Sequence, residues 1–169
     1  MRALAQAPVG YDVALVASNK LDAEGLAWAR SRGVSTWAHP SKGVDKEQYD
    51  RLLSAALDGH GIGTIALAGF MRILSPWFVD EWRGRILNIH PSLLPKYRGL
   101  DTHRRALEAN DEVAGCSVHI VTEELDAGDV LGRTEVSIVP GDTPETLERR
   151  VLAAEHRLYP KVLSEFVNR

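Results

Sequence analysis

The sequence has few of the features that mark secreted or membrane-spanning proteins. It contains one cysteine, Cys116, in 169 residues, so an internal disulfide is impossible and a reducing compartment is expected. Its longest apolar run, residues 64–69, is far shorter than the ~20 residues that a membrane-spanning helix needs. The first ten residues contain no extended apolar stretch after Arg2, which argues against a secretion signal. We therefore expect a cytoplasmic protein.

An excess of charge of one sign is also lacking. The chain has 20 Lys and Arg against 23 Asp and Glu, a formal net charge of -3. Such a balance gives no general attraction for nucleic acid or for an anionic membrane, so neither is expected as a partner. Hydrophobic residues make up 44% and charged residues 25%, which is typical of a folded domain. With no internal repeat or linker, the chain is expected to form one domain.

Apolar runs alternate along the chain with segments of helical periodicity. The expected strands are 12–17, 34–38, 64–69, 85–90, 115–122 and 130–139, and the expected helices are 19–33, 45–57, 75–82, 102–109 and 142–166. Segment 64–69 is apolar throughout, as parallel strands covered on both faces are. The alternation predicts an α/β fold, with a mostly parallel twisted sheet flanked by helices in one Rossmann-like domain.

Two of the expected helices show clear apolar faces at helical spacing. The residues on these faces are Tyr49, Leu52, Leu53 and Ala56 in the first helix, and Leu147, Val151, Leu158 and Val162 in the second. We expect both sets to be buried against the sheet. In such sheets ligands bind beyond the carboxyl ends of the strands, which directs attention to the residues that follow Ala68, His90 and Val121.

The strand 85–90 ends with two polar side chains on one face. Side chains alternate along a strand, so Asn88 and His90 share a face, and Pro91 ends the strand. A neutral imidazole transfers protons near pH 7, and an amide donates a hydrogen bond to a developing oxyanion. A structural alternative is that His90 only forms a hydrogen bond with a loop carbonyl. The residues alone leave the catalytic and the structural interpretation open.

Asp126 lies in a turn-forming stretch between two strands. A carboxylate there is most often a turn residue, but close to His90 it would stabilise the imidazolium. The sequence alone does not bring the two together.

Four segments together resemble the phosphoribosylglycinamide formyltransferase family. They are AGFMRILS (68–75), NIHPSLLPKY (88–97), SVH (117–119) and ELDAG (124–128), and the resemblance extends from about Val13 to Phe166 with the spacings intact. The motif NIHPSLLP is specific for the wider formyltransferase fold, and MRILS with the pair EH (155–156) favours this member. The resemblance implies transfer of a formyl group from 10-formyltetrahydrofolate to the amine of glycinamide ribonucleotide, in purine biosynthesis.

The resemblance also implies catalytic roles for three residues. Asn88 would donate its amide N–H to the oxyanion of the tetrahedral intermediate. His90 would move the proton between the attacking amine and the departing folate nitrogen. Asp126 would keep His90 charged and help to hold the pteridine.

Further residues match binding positions of the family. The main chain of residues 71–74 would pair with the pterin edge, which makes Met71, Arg72, Ile73 and Leu74 folate-binding, together with Asn88. Lys46 matches a position that approaches the folate. Glu155 matches a residue that binds glycinamide ribonucleotide. No metal is implied, because no residue cluster has metal-ligand spacing.

Each of these residues also has a plainer interpretation. Without the resemblance, Met71, Ile73 and Leu74 are expected in the core and Lys46 and Glu155 in solvent. On the same grounds His119 is expected to be a structural histidine and Cys116 a small core residue.

The beginning of the chain departs from the family pattern. Members of the family begin with an apolar strand and a Gly-Ser-Asn-type loop that presents N–H groups to the substrate phosphate. Residues 1–7 instead resemble the helix that follows that loop. The expectation is a single formyltransferase domain, 1–169, that lacks this first strand. A start codon placed too late is the favoured cause, and trimming of the chain or real degeneration are the alternatives. A lost central strand would expose two strand edges, and the chain should then bind folate better than glycinamide ribonucleotide.

Three other functions remain open at this point. A formyltetrahydrofolate hydrolase uses a similar Asn-x-His and Asp set with water as the acceptor. Transfer to methionyl-tRNA also matches PSLLP with Arg98 and Gly99, but the chain has no basic surface for RNA. A folate-binding domain without activity is the fourth possibility. The oligomeric state is expected to be a monomer or a homodimer.

Overall fold

A computed structural model describes residues 1–7 and 10–169. The helices are α1 (Arg2–Gln6), α2 (Glu24–Ser31), α3 (Lys46–Gly59), α4 (Pro76–Glu81), α5 (Thr102–Glu108) and α6 (Pro144–Val167). The strands are β1 (Leu15–Ser18), β2 (Ser35–Ala38), β3 (Ile65–Leu67), β4 (Ile86–His90), β5 (Val113–Ile120) and β6 (Val130–Ser137). Every predicted strand and helix is present, with ends that differ by a few residues. Residues 8 and 9, part of the stretch judged not to be a secretion signal, lie outside the described residues.

The strands form two sheets that share no hydrogen-bonded strand pair within the described residues. β1 and β2 pair in parallel in the smaller sheet, and the larger sheet has the order β3–β4–β5–β6. There β3 and β4 are parallel, whereas β5 runs antiparallel to both of its neighbours. The nine residues 121–129 between β5 and β6 are too few for a parallel crossover, so this pair turns back on itself. The predicted α/β class is confirmed.

The long helix α6 packs across β5 and β6. Its predicted apolar face, Leu147, Val151, Leu158 and Val162, is buried as expected. Each such side chain contributes about 1.5–3 kcal/mol on full burial, so this face is a principal source of the helix's stability.

The predicted apolar face of α3 is partly wrong. Tyr49 and Leu53 are buried, but Leu52 is exposed. Asp50 and Ser54 face inward instead, because each has a hydrogen-bond partner near α4. The main-chain N–H of Ser75 donates to the Asp50 carboxylate at 2.6 Å, and the Trp82 indole donates to the Ser54 hydroxyl at 2.9 Å. These two hydrogen bonds form only when Asp50 and Ser54 face the interior. The helix is therefore rotated so that Leu52 points to solvent.

Two predicted helix starts are confirmed by their caps. The Ser75 hydroxyl accepts a hydrogen bond from the main-chain N–H of Phe78, with Pro76 at the first helical position. Thr143 and Thr146 form a reciprocal capping pair at the start of α6. Such side-chain caps satisfy N–H groups that the helix itself leaves without partners.

The single cysteine is a core residue, as predicted. Cys116 is a buried free thiol. Burial first, and then the neighbouring Glu155, raises the pKa of Cys116 to about 12, so the thiol stays protonated and behaves as a small apolar side chain.

Among the helices of residues 1–7 and 10–169, none combines the length and the apolar character that crossing a membrane requires.

Candidate active site

Strands β4 and β5 bring four polar side chains to one end of the larger sheet. In the antiparallel register, Asn88 lies opposite His119 and His90 lies opposite Ser117. Because side chains alternate along each strand, all four residues project from the same face. His90, Ser117 and His119 are buried. Polar side chains in such a place require hydrogen-bond partners within the protein.

The loop between β5 and β6 delivers Asp126 to this end of the sheet. Asp126 adopts a left-handed backbone with φ of 50°, which non-glycine residues seldom do. Gly128 allows the loop to lie directly on the end of β5, because a Cβ there would come within 1.9 Å of the Ile120 carbonyl oxygen. The glycine of the ELDAG motif is thus required by a close approach of two backbone segments.

The carboxylate of Asp126 lies between two imidazoles. Its Oδ2 is 3.3 Å from Nδ1 of His90, and its Oδ1 is 3.5 Å from Nε2 of His119. Nε2 of His119 in turn lies 3.3 Å from the amide nitrogen of Asn88. The structure therefore places all three predicted catalytic residues in one contiguous cluster, with His119 joining Asn88 to Asp126.

The cluster favours an ionised carboxylate. Burial by itself raises the pKa of Asp126, but other contacts outweigh it and hold this pKa below its ordinary value. They are a hydrogen bond from His119, a hydrogen bond from the main-chain N–H of Gly99 at 2.9 Å, and the charge of His90. Asp126 is consequently an anion at neutral pH and stabilises a protonated imidazole beside it.

His119 is the residue that the sequence interpretation missed, because it was assigned a purely structural role. Its Nδ1–H donates to the Ile120 carbonyl at 2.9 Å, which leaves Nε2 to accept from the Asn88 amide or, when protonated, to donate to Asp126. A signal was present in the sequence. Ser117 and His119 show the same alternate spacing as Asn88 and His90, and pairing the two strands places both sets on one face.

A cavity of about 300 Å³ adjoins the cluster. Its lining includes Asn88, His119 and Asp126 of the cluster, but not His90, and it also includes Lys46, Arg72, Ile73 and Leu74. Five of the six residues predicted to bind folate therefore line one cavity, together with Asp126. The sixth, Met71, is 80% exposed and is absent from the lining.

Contacts from α3 hold the segment that follows β3. The bond from Ser75 to Asp50 anchors its far end, and the guanidinium of Arg72 stacks 4.1 Å above the ring of Tyr49. The plainer expectation that Met71 and Ile73 lie in the core is wrong, since both are largely exposed. Leu74 is buried. This arrangement leaves the main chain of the segment at the edge of the cavity.

Arg72 also carries a donor without a partner. Its Nη1 is buried and has no hydrogen-bond partner among the described residues. A buried unsatisfied guanidinium nitrogen is costly, on the order of 1–3 kcal/mol.

Glu155 lies apart from the cavity. It belongs to α6, is half-buried, and is not among the residues that line the cavity. Burial and then the nearby Glu148 raise the pKa of Glu155 to about 7, so the carboxyl group is close to half protonated at neutral pH. The structure thus does not bring this predicted substrate-binding residue together with the others.

Within the described chain, no group of three or more His, Cys, Asp or Glu side chains is placed to hold a metal ion.

The cluster suits a reaction in which a proton moves and an oxyanion develops. His90 supplies an imidazole beside an ionised carboxylate, an arrangement that supports proton transfer near neutral pH. Asn88, two residues away on the same face of β4, supplies amide N–H donors, which suits the stabilisation of an oxyanion.

Comparisons with known proteins agree with one another. A model of a family described as formyl transferase matches residues 1–163. A phosphoribosylglycinamide formyltransferase of Escherichia coli strain K12 is 50% identical over 157 residues, which are 92% of this chain and 74% of that protein. A trifunctional purine biosynthetic protein adenosine-3 of Gallus gallus is 45% identical over 158 residues, 90% of this chain but 15% of that protein. A crystal structure of phosphoribosylglycinamide formyltransferase from Brucella melitensis gives a TM-score of 0.89 at 48% identity, covering 98% of this chain and 85% of that one.

Proposed function

The chain belongs to the formyl transferase family, and from that premise we propose that it transfers a formyl group from 10-formyltetrahydrofolate to the amine of glycinamide ribonucleotide. This is a step of purine biosynthesis. The observation that carries the proposal is the cluster formed by the buried His90, His119 and Asp126 with the partly buried Asn88, beside a cavity. It offers an oxyanion donor and a proton carrier side by side, which formyl transfer to an amine requires.

Asn88 and His90 act on the two charges that the reaction creates. When the amine nitrogen bonds to the formyl carbon, the formyl oxygen becomes an oxyanion, and an amide N–H of Asn88 donates to it. His90 takes the proton that the amine loses and returns it to the folate nitrogen as its bond to carbon breaks. The proton that the amine loses is thus the proton that the folate nitrogen gains.

Asp126 and His119 keep these two groups in place. The ionised Asp126 stabilises the protonated form of His90. His119 contacts both Asp126 and the amide of Asn88, so it orients the donor of the oxyanion site. In this proposal Asn88, His90 and Asp126 are catalytic, and His119 is a positioning residue.

The residues that line the cavity support the assignment of a folate. Ile73 and Leu74 offer apolar walls, the guanidinium of Arg72 suits an oxygen of the ligand, and Lys46 suits a carboxylate. Met71, at the exposed start of the same segment, contributes through its main chain. When bound, the folate supplies the formyl carbon, and the residues hold it against Asn88.

The remaining assignments stay predictions. Glu155 would contact glycinamide ribonucleotide. A single formyltransferase domain, a monomeric or dimeric state and a cytoplasmic location are likewise expected. The lone buried cysteine supports a reducing compartment.

The test is a product assay with both substrates. Purified chain is incubated with 10-formyltetrahydrofolate and glycinamide ribonucleotide, and formylglycinamide ribonucleotide is measured by mass spectrometry alongside deformylated folate. The two products should form in equal amounts. A reaction without the ribonucleotide and a reaction with the His90→Ala variant are the controls.

Other outcomes identify the alternative functions. Formate release that does not depend on the ribonucleotide would identify a hydrolase and overturn the proposal. Folate binding without either product would identify a non-catalytic binding domain.

A further inference from the structure

Both ring nitrogens of His90 contact hydrogen-bond acceptors of the protein. Nδ1 lies 3.3 Å from the Asp126 carboxylate, and Nε2 lies 2.9 Å from the main-chain carbonyl oxygen of Tyr97. Because a carbonyl oxygen can only accept, the contact at 2.9 Å requires a proton on Nε2. The two nitrogens therefore have different surroundings. Nδ1 faces a residue that lines the cavity, whereas Nε2 faces the chain.

The loop that carries the Tyr97 carbonyl is held by contacts with α5 and with the residue Asp111 that follows it. Tyr97 has a left-handed backbone, with φ of 55°. Its hydroxyl donates to the Asp111 carboxylate at 2.8 Å, and Lys96 forms an ion pair with the same carboxylate at 3.0 Å. The guanidinium of Arg105 stacks on the Tyr97 ring and also donates to the Arg98 carbonyl at 2.7 Å. A strained backbone that neighbouring contacts hold in place is typical of functional sites.

Other contacts fasten the same loop beneath His90. The Ser117 hydroxyl donates to the Ser92 carbonyl at 2.7 Å and accepts from the Leu94 N–H at 3.0 Å. Since Ser117 is paired with His90 across the sheet, the loop is tied to the strand directly opposite the imidazole. The carbonyl of Tyr97 is therefore fixed from both ends of the loop.

We propose that Tyr97 is a positioning residue for His90, and that its main-chain carbonyl, anchored through Asp111, retains the proton on Nε2 so that Nδ1 exchanges the proton in the reaction. This inference rests on the proposed function for its catalytic consequence. It assigns each nitrogen one task. Nε2–H orients the ring, and Nδ1, which faces the cavity-lining residue Asp126, takes the proton from the amine and returns it to the leaving nitrogen.

The charged groups around the imidazole agree with this assignment. Asp126 is ionised and faces Nδ1, and His119 contacts the other oxygen of the same carboxylate. Lys96, Asp111 and Arg105 lie around Tyr97 rather than against the ring of His90. A change at Asp111 therefore reaches His90 through the Tyr97 loop.

The first test observes the proton directly. Ring nitrogen signals of ¹⁵N-histidine-labelled protein are recorded by NMR at a pH where His90 is neutral, and His90→Gln identifies its signals. In the wild type we expect a protonated Nε2 and an unprotonated Nδ1. This measurement needs no substrate, so it stands whether or not the chain is a transferase. A neutral His90 with its proton on Nδ1 would overturn the inference.

The second test removes the anchor. Tyr97→Phe and Asp111→Ala should each give a mixture of the two neutral forms, lower kcat about three- to tenfold with KM nearly unchanged, and move the acid inflection of the pH–rate profile to lower pH. Asp111→Asn keeps an acceptor for the Tyr97 hydroxyl and should restore the wild-type signals. Tyr11→Phe is the matched control, because it removes one hydroxyl bond to the Leu4 carbonyl instead.

The two tests separate the possible failures. If Tyr97→Phe and Asp111→Ala keep the wild-type nitrogen signals and pH profile, the anchor has no role and the inference is wrong. If the signals change as expected while no formyl product forms in any variant, the positioning of His90 stands and the proposed function fails.

Discussion

Replacing Glu155 with glutamine should stabilise the protein at alkaline pH and have little effect at acid pH. Burial, with Glu148 nearby, raises the pKa of this carboxyl from 4.5 to about 7 in the folded state. A raised carboxyl pKa means that the folded state binds the proton more tightly than the unfolded state. The stability that the proton provides is therefore complete below about pH 4.5 and is lost as the pH rises through about 7.

The size of the effect follows from the pKa values of Glu155 in the unfolded and folded states. Their difference corresponds to about 3 kcal/mol at 1.36 kcal/mol for each unit of pKa. Glu155 is only half-buried, so solvent screening reduces this figure, and we expect about 1–2 kcal/mol. The amide of glutamine has nearly the shape of the protonated acid but does not ionise. The Glu155→Gln variant should thus match the wild type at pH 5 more closely than at pH 8.

Urea unfolding followed by circular dichroism at pH 5 and pH 8 measures the difference. We expect Glu155→Gln to raise the free energy of unfolding by about 1–2 kcal/mol more at pH 8 than at pH 5. Glu165→Gln, an exposed change on the same helix, is the control and should show no such dependence. Equal effects of Glu155→Gln at both pH values would refute the argument that burial holds the proton on this residue.

The remaining predictions concern the cavity and the cluster beside it. His90→Ala should lower kcat about 10²–10⁴-fold, the range for loss of a general acid–base, and unchanged turnover would remove His90 from the mechanism. Asn88→Ala should lower kcat about 10²–10³-fold through loss of an oxyanion donor, whereas a loss of tenfold or less in the same steady-state assay would make Asn88 structural. Arg72→Met should raise the KM for the folate about tenfold with kcat nearly unchanged, as loss of uniform binding does, and an unaltered KM would show that the Arg72 guanidinium does not contact the ligand.

The sequence predicted the helices and strands because the signals for them are local. Apolar periodicity marks each element, and Ser75 and Thr143 cap helices where their residue types indicate. The direction of β5 and β6 is not local, since it depends on which strand each one meets. The error at Leu52 has the same origin. Its helix is turned by contacts that Asp50 makes with a segment 25 residues away.

In the candidate site too, some residues could be placed from local signals and others could not. Asn88 and His90 could be placed on one face from the alternation of side chains along a single strand. Asp126 and His119 could not be placed near them, because their positions follow from the pairing of β5 with β4 and from a shift in the pairing of β5 with β6 between Val118 and His119. Glu155 is a different case, because its contact with glycinamide ribonucleotide comes from the family resemblance alone. Its place outside the lining of this cavity does not bear on that contact, which stays a prediction.

The backbone around His90 shows why this part of the chain resists local reasoning. Four non-glycine residues within 1–7 and 10–169 have positive φ, and three of them, Tyr97, Asp101 and Asp126, lie in the two loops that meet at the cluster. Such conformations cost on the order of 1–3 kcal/mol each. Contacts between the loops hold them, among them the bond from Gly99 to Asp126 and the ion pair of Arg98 with Glu124. In these loops, contacts between segments outweigh the local backbone preferences of the residues, and they place acceptors against both nitrogens of His90. The backbone strain therefore lies where the proposed chemistry needs fixed geometry.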